Sequence, residues 1–306
     1  MRFSIFQDSL IGGRSINQDR MGYCFTRESL LMLVADGMGG HVRGEVAAQL
    51  TLQTVAGMFQ RAASPRLPDP VAFLDSALRA SHRELIRYQL AHDLQEAPRT
   101  TVVACIVQEG HAWWAHAGDS RLYWLRGGRV IGRTRDHSKV QTMVALGLIS
   151  SDEQESHPER NKVLNCLGSP AEPTVEIGSR ARLEPGDVLV LCSDGLWSGV
   201  SDAQLAREFD EAPLARVVPG LVRRAIAANG RLADNTTVVA LGWEGGDLGD
   251  ELPTLSSLNL PEGAITTTIS IAPPADEQPV DLSEEEIERT IAEIQQAIQR
   301  SNGSAS

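Results

Sequence analysis

The chain reads as an α+β protein with largely antiparallel sheets. Three observations predict this class. Apolar segments of strand length come in runs and do not alternate one for one with helical stretches, as a doubly wound parallel sheet would require. Two helical stretches, 42–63 and 70–94, fall together between an early and a later group of strands. One further helix, near 213–228, precedes a closing strand at 236–242.

Each element follows from its local pattern. Residues 1–36 hold short apolar runs broken by Gly12-Gly13 and Gly22, the punctuation of strands. Leu30–Ala35 is an uninterrupted apolar run of buried-strand length. Residues 42–63 lack proline, and Val46, Leu50, Val55 and Met58 fall on or near one helical face. The second helical stretch is bounded by Pro70 and Pro98. Strands resume at Thr101–Val107, Ala112–Gly118 and Arg121–Leu125, and Gly127-Gly128 marks a hairpin. Trp113 and Trp114 are expected to point one inward and one outward. Residues 137–172 are mixed and are expected to include a mobile loop; 174–183 and 188–193 read as extended.

Charge divides the chain. Of 306 residues, 42% are apolar and 22% charged, with a net charge of −12. Residues 243–306 carry 13 acidic against 2 basic side chains, whereas 1–242 is nearly balanced. The expected organisation is a folded domain over 1–242 and an acidic, largely disordered tail over 243–306. Within that tail, 244–278 is rich in Gly, Pro, Ser, Thr and acid, and reads as a linker. Ser283 and Glu286 form a capping box, and Ile287, Ile291, Ile294 and Ile298 form the seam of a short amphipathic helix over 283–300. That helix serves either to pack back on its own domain or to dock and self-associate.

No basic excess marks a nucleic-acid footprint. Cys24, Cys105, Cys166 and Cys192 lie far apart without a Cys-x-x-Cys. The start lacks the apolar run of a signal peptide, and no stretch reaches membrane-spanning length. A soluble protein of a reducing cytoplasm, binding neither nucleic acid nor membrane, is expected.

The chemistry concentrates on four aspartates. Asp36 follows Leu30–Ala35, Asp119 follows 113–118, Asp194 follows 188–193, and Asp234 precedes the last strand. Any single Asp-Gly is explained by a turn. Four acids at the ends of apolar strands are different: if those ends converge, mutual repulsion demands cations. Oxygen-only donors suit Mg²⁺ or Mn²⁺, and Gly37 lets a backbone carbonyl approach a metal. A pair of ions about 3.5–4 Å apart would activate a bridging water for in-line attack at phosphorus. Arg14 can fork onto phosphate oxygens, and Asp19 could hold a metal-bound water. A Walker A loop, a His-Glu-x-x-His helix and a Gly-x-Ser-x-Gly elbow are all absent.

Asp36-Gly37-Met38-Gly39-Gly40-His41 with Gly44-Glu45, then Gly118-Asp119-Ser120-Arg121, Asp136-His137-Ser138, Ser193-Asp194-Gly195-Leu196 and Asp234-Asn235-x-Thr237 stand in order. With Arg14…Asn17-Gln18-Asp19 ahead of them, the set closely resembles the bacterial metal-dependent protein phosphatases of the type-2C (PPM) family. The resemblance covers about residues 1–242. It implies a β-sandwich of two antiparallel sheets flanked by helices (α-β-β-α), with a metal cleft at one end. It further implies that Asp36 bridges two metals, that Gly37 gives its carbonyl, and that Asp194 and Asp234 hold the first metal. Asp119 with Asp194 would form a third-metal site. Arg14 would bind substrate phosphate, and residues about 139–173 would form the variable flap.

The implied activity is Mn²⁺- or Mg²⁺-dependent hydrolysis of phosphoserine and phosphothreonine in proteins. A metal-bridging hydroxide would attack directly, without a phospho-enzyme, and the reaction would oppose a bacterial Ser/Thr kinase. Two positions depart from the family pattern. Met38 stands where animal relatives carry a histidine proposed as general acid, and Gln18 stands where some members carry a metal-contacting glutamate. His41 is a candidate substrate contact or a structural turn histidine. Two other readings stand beside the enzyme: an inactive phosphoprotein-binding regulator, and an interaction protein acting through the 283–300 helix.

Overall fold

The apolar run at 30–35 lies in a strand whose two faces are both covered. In the computed structural model, β3 spans Ser29–Gly37. Leu31, Leu33 and Ala35 pack into one apolar cluster, and Leu30, Met32 and Val34 into another. Burial on both faces removes the usual apolar–polar alternation, which is why the segment reads as continuous. Each buried leucine contributes about 1.5–3 kcal/mol by leaving water.

Two antiparallel sheets result. The first runs in the order β1 (Arg2–Leu10), β11 (Thr236–Gly245), β10 (Val188–Cys192), β6 (Arg121–Arg126) and β7 (Arg129–Arg133). The second runs β2 (Arg20–Phe25), β3, β4 (Thr100–Gln108), β5 (His111–Ala117) and β8 (Glu176–Ile177), with β9 (Ala181–Arg182) also on β5. The sheets meet through Leu30, Met32 and Val34 from one side and Leu189, Leu191, Val239 and Leu241 from the other. Helices α1 (Gly44–Ala62) and α2 (Pro70–Ala91) cover the outer face of the second sheet. Two short helices, α3 (Lys139–Ala145) and α4 (Asp194–Trp197), follow along the chain. Helices α5 (Asp202–Glu211) and α6 (Leu214–Asn229) then cover the first sheet. The expected α-β-β-α sandwich is thus the observed architecture.

Local chemistry fixes the boundaries. Asp69 caps α2, its carboxylate accepting the backbone N–H of Val71 and Ala72, and Pro70 takes the first helical position. Gly127 and Gly128, both with positive φ, close the β6–β7 hairpin. Trp113 and Trp114 do point to opposite faces, but both are buried, because helices cover the side expected to face solvent. Helix α5 was not anticipated by apolar periodicity, since only Leu205, Ala206 and Phe209 are buried, although Ser201 and Gln204 form a full capping box. The extended stretch expected at 174–183 shrinks to the two short pairings of β8 and β9.

The structure describes residues 1–38, 43–150, 153, 157–160, 162–178, 180–245, 263 and 265–267. His41 and the 283–300 helix lie outside the described residues. The carboxy-terminal side departs from expectation in two places. Strand β11 continues to Gly245. Within the expected linker, Thr266 pairs with Tyr23 of β2 through both backbone groups, and Ile265 packs against the helix-side cluster. Among the described residues no helix is long and apolar enough to cross a membrane.

Candidate metal centre

Strand register brings the acidic motifs to one end of the sandwich. Asp36 lies opposite Thr101 in the β3–β4 ladder. Asp119 comes two residues after β5, Asp194 two residues after β10, and Asp234 two residues before β11. A cleft of about 420 Å³ is lined by Asp36, Gly37, Asp119, Asp194, Asp234 and Arg14, with Gln18, Met38, Thr101 and Val163 among its other walls. Six residues singled out from sequence thus share one volume. Asp19 lies behind the wall, buried, and accepts the Ser193 hydroxyl at 2.7 Å.

The backbone at Gly37 leaves no space for a side chain. A Cβ there would lie 2.3 Å from the Gly44 carbonyl oxygen and 2.7 Å from that of Gln18. Gly195 is equally confined, 2.1 Å from the Asn235 carbonyl oxygen. Both glycines let chain segments meet behind the carboxylates. The Thr100 hydroxyl donates to the Asp36 carbonyl at 2.7 Å, pinning the strand end.

The carboxylates disfavour one another's charge. Burial, followed by repulsion from Asp19, Asp194, Asp119 and Asp234, holds Asp36 well above the ordinary carboxylate range. Burial and then Asp119 and Asp234 do the same to Asp194. Asp119 is pushed up to about 7 by burial and then by Asp136. Asp19 is pushed up to about 6 by burial, which hydrogen bonds from Thr237 and Ser193 partly offset. Among the described residues, the buried Asp19 Oδ1 finds no hydrogen-bond partner. A set of oxygen donors that repel one another, one of them orphaned, fits divalent cations such as Mg²⁺ or Mn²⁺.

Arg14 donates to Asp234 Oδ2 at 2.6 Å from an otherwise exposed position. Gln18, unable to act as a carboxylate, donates its amide to Glu45 Oε2 at 3.1 Å. Met38 lines the cleft. Beneath Asp119 lies a network with no role assigned from sequence. Arg121 forks onto Asp136 at 2.8 and 2.7 Å, both buried, and stacks 3.9 Å over Trp197. The Trp197 indole N–H donates to the Asp119 carbonyl. Asp136 and Ser193 stand inside sequence motifs, but their partners are distant along the chain, so no local pattern reveals their roles.

His116, His137 and Glu176 also approach one another. The two imidazoles stack, with centroids 4.5 Å apart and planes 23° apart. Near-parallel rings aim their lone pairs in parallel, so both cannot address one ion. Asn165 and the Gly118 N–H already occupy His137 Nδ1. The group reads as a packed hub.

Comparison with known proteins agrees with this geometry. The model of the protein phosphatase 2C family matches residues 7–224. The serine/threonine protein phosphatase PstP of Mycobacterium tuberculosis is 35% identical over 228 residues, 74% of this chain. The chain spans only 43% of that relative's length. Protein phosphatase PhpP of Streptococcus pneumoniae is 31% identical over 231 residues, 74% of this chain and 91% of the relative. The crystal structure of M. tuberculosis PstP superposes with a TM-score of 0.69 at 32% identity, covering 79% of this chain and 99% of that one. The PstP catalytic domain solved in complex with two manganese ions gives 0.65 at 31% identity, covering 78% and 97%. A family match over 7–224, from β1 into α6 and so over most of the chain, decides the assignment: the chain belongs to the protein phosphatase 2C family.

Proposed function

We propose that this chain is a metal-dependent serine/threonine protein phosphatase, with Mn²⁺ or Mg²⁺ held by Asp36, Asp194 and Asp234, by Asp119 together with Asp194, and by the carbonyl of Gly37. The observation that carries this reading is the meeting of four aspartates from two sheets in one cleft that Arg14 overhangs. Cations bound there would polarise a phosphoryl oxygen and activate water. The chain's own groups do the rest. Arg14 draws substrate phosphate into the cleft and neutralises charge that grows on its oxygens in the transition state. Asp19, buried behind Asp36 and fixed by Ser193, would hold a water of the metal site. With Met38 lining the cleft where a general acid would be sought, the leaving oxygen takes its proton from solvent. Water, and no side chain, is the nucleophile, so no phospho-enzyme forms.

Phosphoserine and phosphothreonine proteins are the proposed substrates, among them a Ser/Thr kinase and its targets. The catalytic unit is 1–242, continued by β11 to Gly245. Four buried cysteines, none of them in a disulfide, fit a reducing cytoplasm. The test is hydrolysis of p-nitrophenyl phosphate and of a phosphothreonine peptide by the full chain. Turnover should require added Mn²⁺ or Mg²⁺ and vanish in Asp36→Asn. Turnover in excess chelator, retention of activity by Asp36→Asn, or a trapped phospho-enzyme would overturn the reading. Phosphopeptide binding without turnover in the presence of metal would favour the regulatory alternative.

A further inference from the structure

Arg14 differs from the acids it serves. They sit at strand ends, whereas Arg14 stands in the loop joining β1 to β2, its side chain 54% exposed. A phosphate-binding guanidinium on a free loop would lose much of its affinity to the ordering of that loop. The loop, however, is anchored at both ends by one buried side chain, Asn235. Its Nδ2 donates to the Ile11 carbonyl at 2.9 Å and to the Ile16 carbonyl at 3.1 Å. Its Oδ1 accepts the Gln18 backbone N–H at 2.8 Å. Two carbonyls and one N–H allow one orientation of the carboxamide. Its own backbone N–H donates to Asp234 Oδ1 at 2.8 Å, while Arg14 holds Oδ2 of the same carboxylate. The loop is also pressed against this segment: the Gly13 N–H donates to the Ala233 carbonyl, and a Cβ on Gly12 would lie 2.4 Å from the Asp234 carbonyl oxygen.

We propose that Asn235 is a positioning residue for phosphate recognition, clamping residues 11–18 so that Arg14 is held over the cleft beside Asp234. The inference rests on the phosphatase reading above. Asn235 touches no substrate; its effect passes through Arg14. Aspartate could not replace it, because a carboxylate would face the Ile11 and Ile16 carbonyls with no proton to donate.

A double-mutant cycle on the full, Mn²⁺-loaded chain tests the clamp, with inorganic phosphate as the probe in calorimetry. Arg14→Ala should weaken phosphate binding about 10- to 100-fold. Asn235→Ala and Asn235→Asp should weaken it about tenfold, and either change added to Arg14→Ala should weaken it no further than about twofold. With p-nitrophenyl phosphate the asparagine variants should raise KM more than they lower kcat. Mn²⁺ affinity should stay within about threefold of the parent, since the Asn235 backbone N–H still holds Asp234. Phosphate affinity equal to the parent in a folded variant, multiplicative losses in the double variant, or a matching loss of Mn²⁺ affinity would overturn the proposal. Should Asn235→Ala fail to fold, Asn235→Ser, which keeps a hydroxyl donor, is held to the same criteria. Failure of the parent chain to hydrolyse any phosphoester would sink the phosphatase reading alone, because the calorimetric cycle needs no turnover.

Discussion

The two sheets deliver their acids to the cleft by different means. In the second sheet, Asp36 lies within the β3–β4 ladder and Asp119 follows β5 after a single glycine. In the first sheet neither acid is in a strand. Asp194 opens the short helix α4, and Asp234 waits before β11, gripped by Asn235 and Arg14. Asp36 is placed by the strand ladder itself, whereas Asp234 is held in a turn by Arg14 and by the Asn235 backbone N–H. Substitutions near the first sheet should therefore disturb geometry, while substitutions at Asp36 should disturb charge alone.

The sharpest test sets Asp36→Asn against Asp234→Asn. Asp36 is repelled by four other carboxylates, the most central place in the cluster. Its substitution should lower kcat/KM on the order of 10⁴-fold, about 5 kcal/mol of transition-state stabilisation. Asp234→Asn should lose less, and equal losses would erase the distinction. Next in size is the network under Asp119. Asp136→Ala strands the buried Arg121 guanidinium, and urea unfolding should show a loss of about 4 kcal/mol. A loss under about 1 kcal/mol would mean that this acid needs no such support.

The pH dependence follows from Asp119 at about 7 and Asp19 at about 6, both above the ordinary 3.8. Folded carboxyls raised in this way keep protons that the unfolded chain has released, so their stabilisation is complete at acid pH and fades as pH climbs through 6 and 7. The metal-free chain should be less stable to urea at about pH 7.5 than at about pH 5.5, by on the order of 2 kcal/mol. Saturating Mn²⁺ should reverse the trend, because cations need the ionised form. An unchanged slope with metal would detach these groups from the ion site. The smallest effect is at a helix end remote from the cleft. Asp69→Ala, which uncaps α2, should lower stability by about 1 kcal/mol and leave turnover unchanged.

Much of this was legible in the chain, and the omissions have physical causes. Leu30–Ala35 and Val188–Cys192 announced themselves because both their faces are covered. Asp36, Asp119 and Asp194 stood out because apolar runs lead up to them, and Asp234 because one follows it. The pairing of β1 with β11 was not legible, since partners more than two hundred residues apart are chosen by sheet packing and not by local pattern. Helix α5 hid because so little of it is buried. Ser193, Asn235 and Asp136 were visible as motif letters, but each acts through a partner folded in from elsewhere, and no spacing rule connects Ser193 to Asp19 or Asn235 to Ile11.

Thr266 has a practical consequence. β2 is the outermost strand of its sheet, and Thr266 satisfies the Tyr23 N–H and carbonyl on its open side. A recombinant fragment trimmed at residue 242 would bare those groups and the hollow at Gly22 that Ile265 fills. Unprotected edges of this kind invite edge-to-edge aggregation. A fragment that retains the chain through residue 269 keeps its own guard strip, and comparing the two by light scattering would separate a catalytic defect from mere self-association.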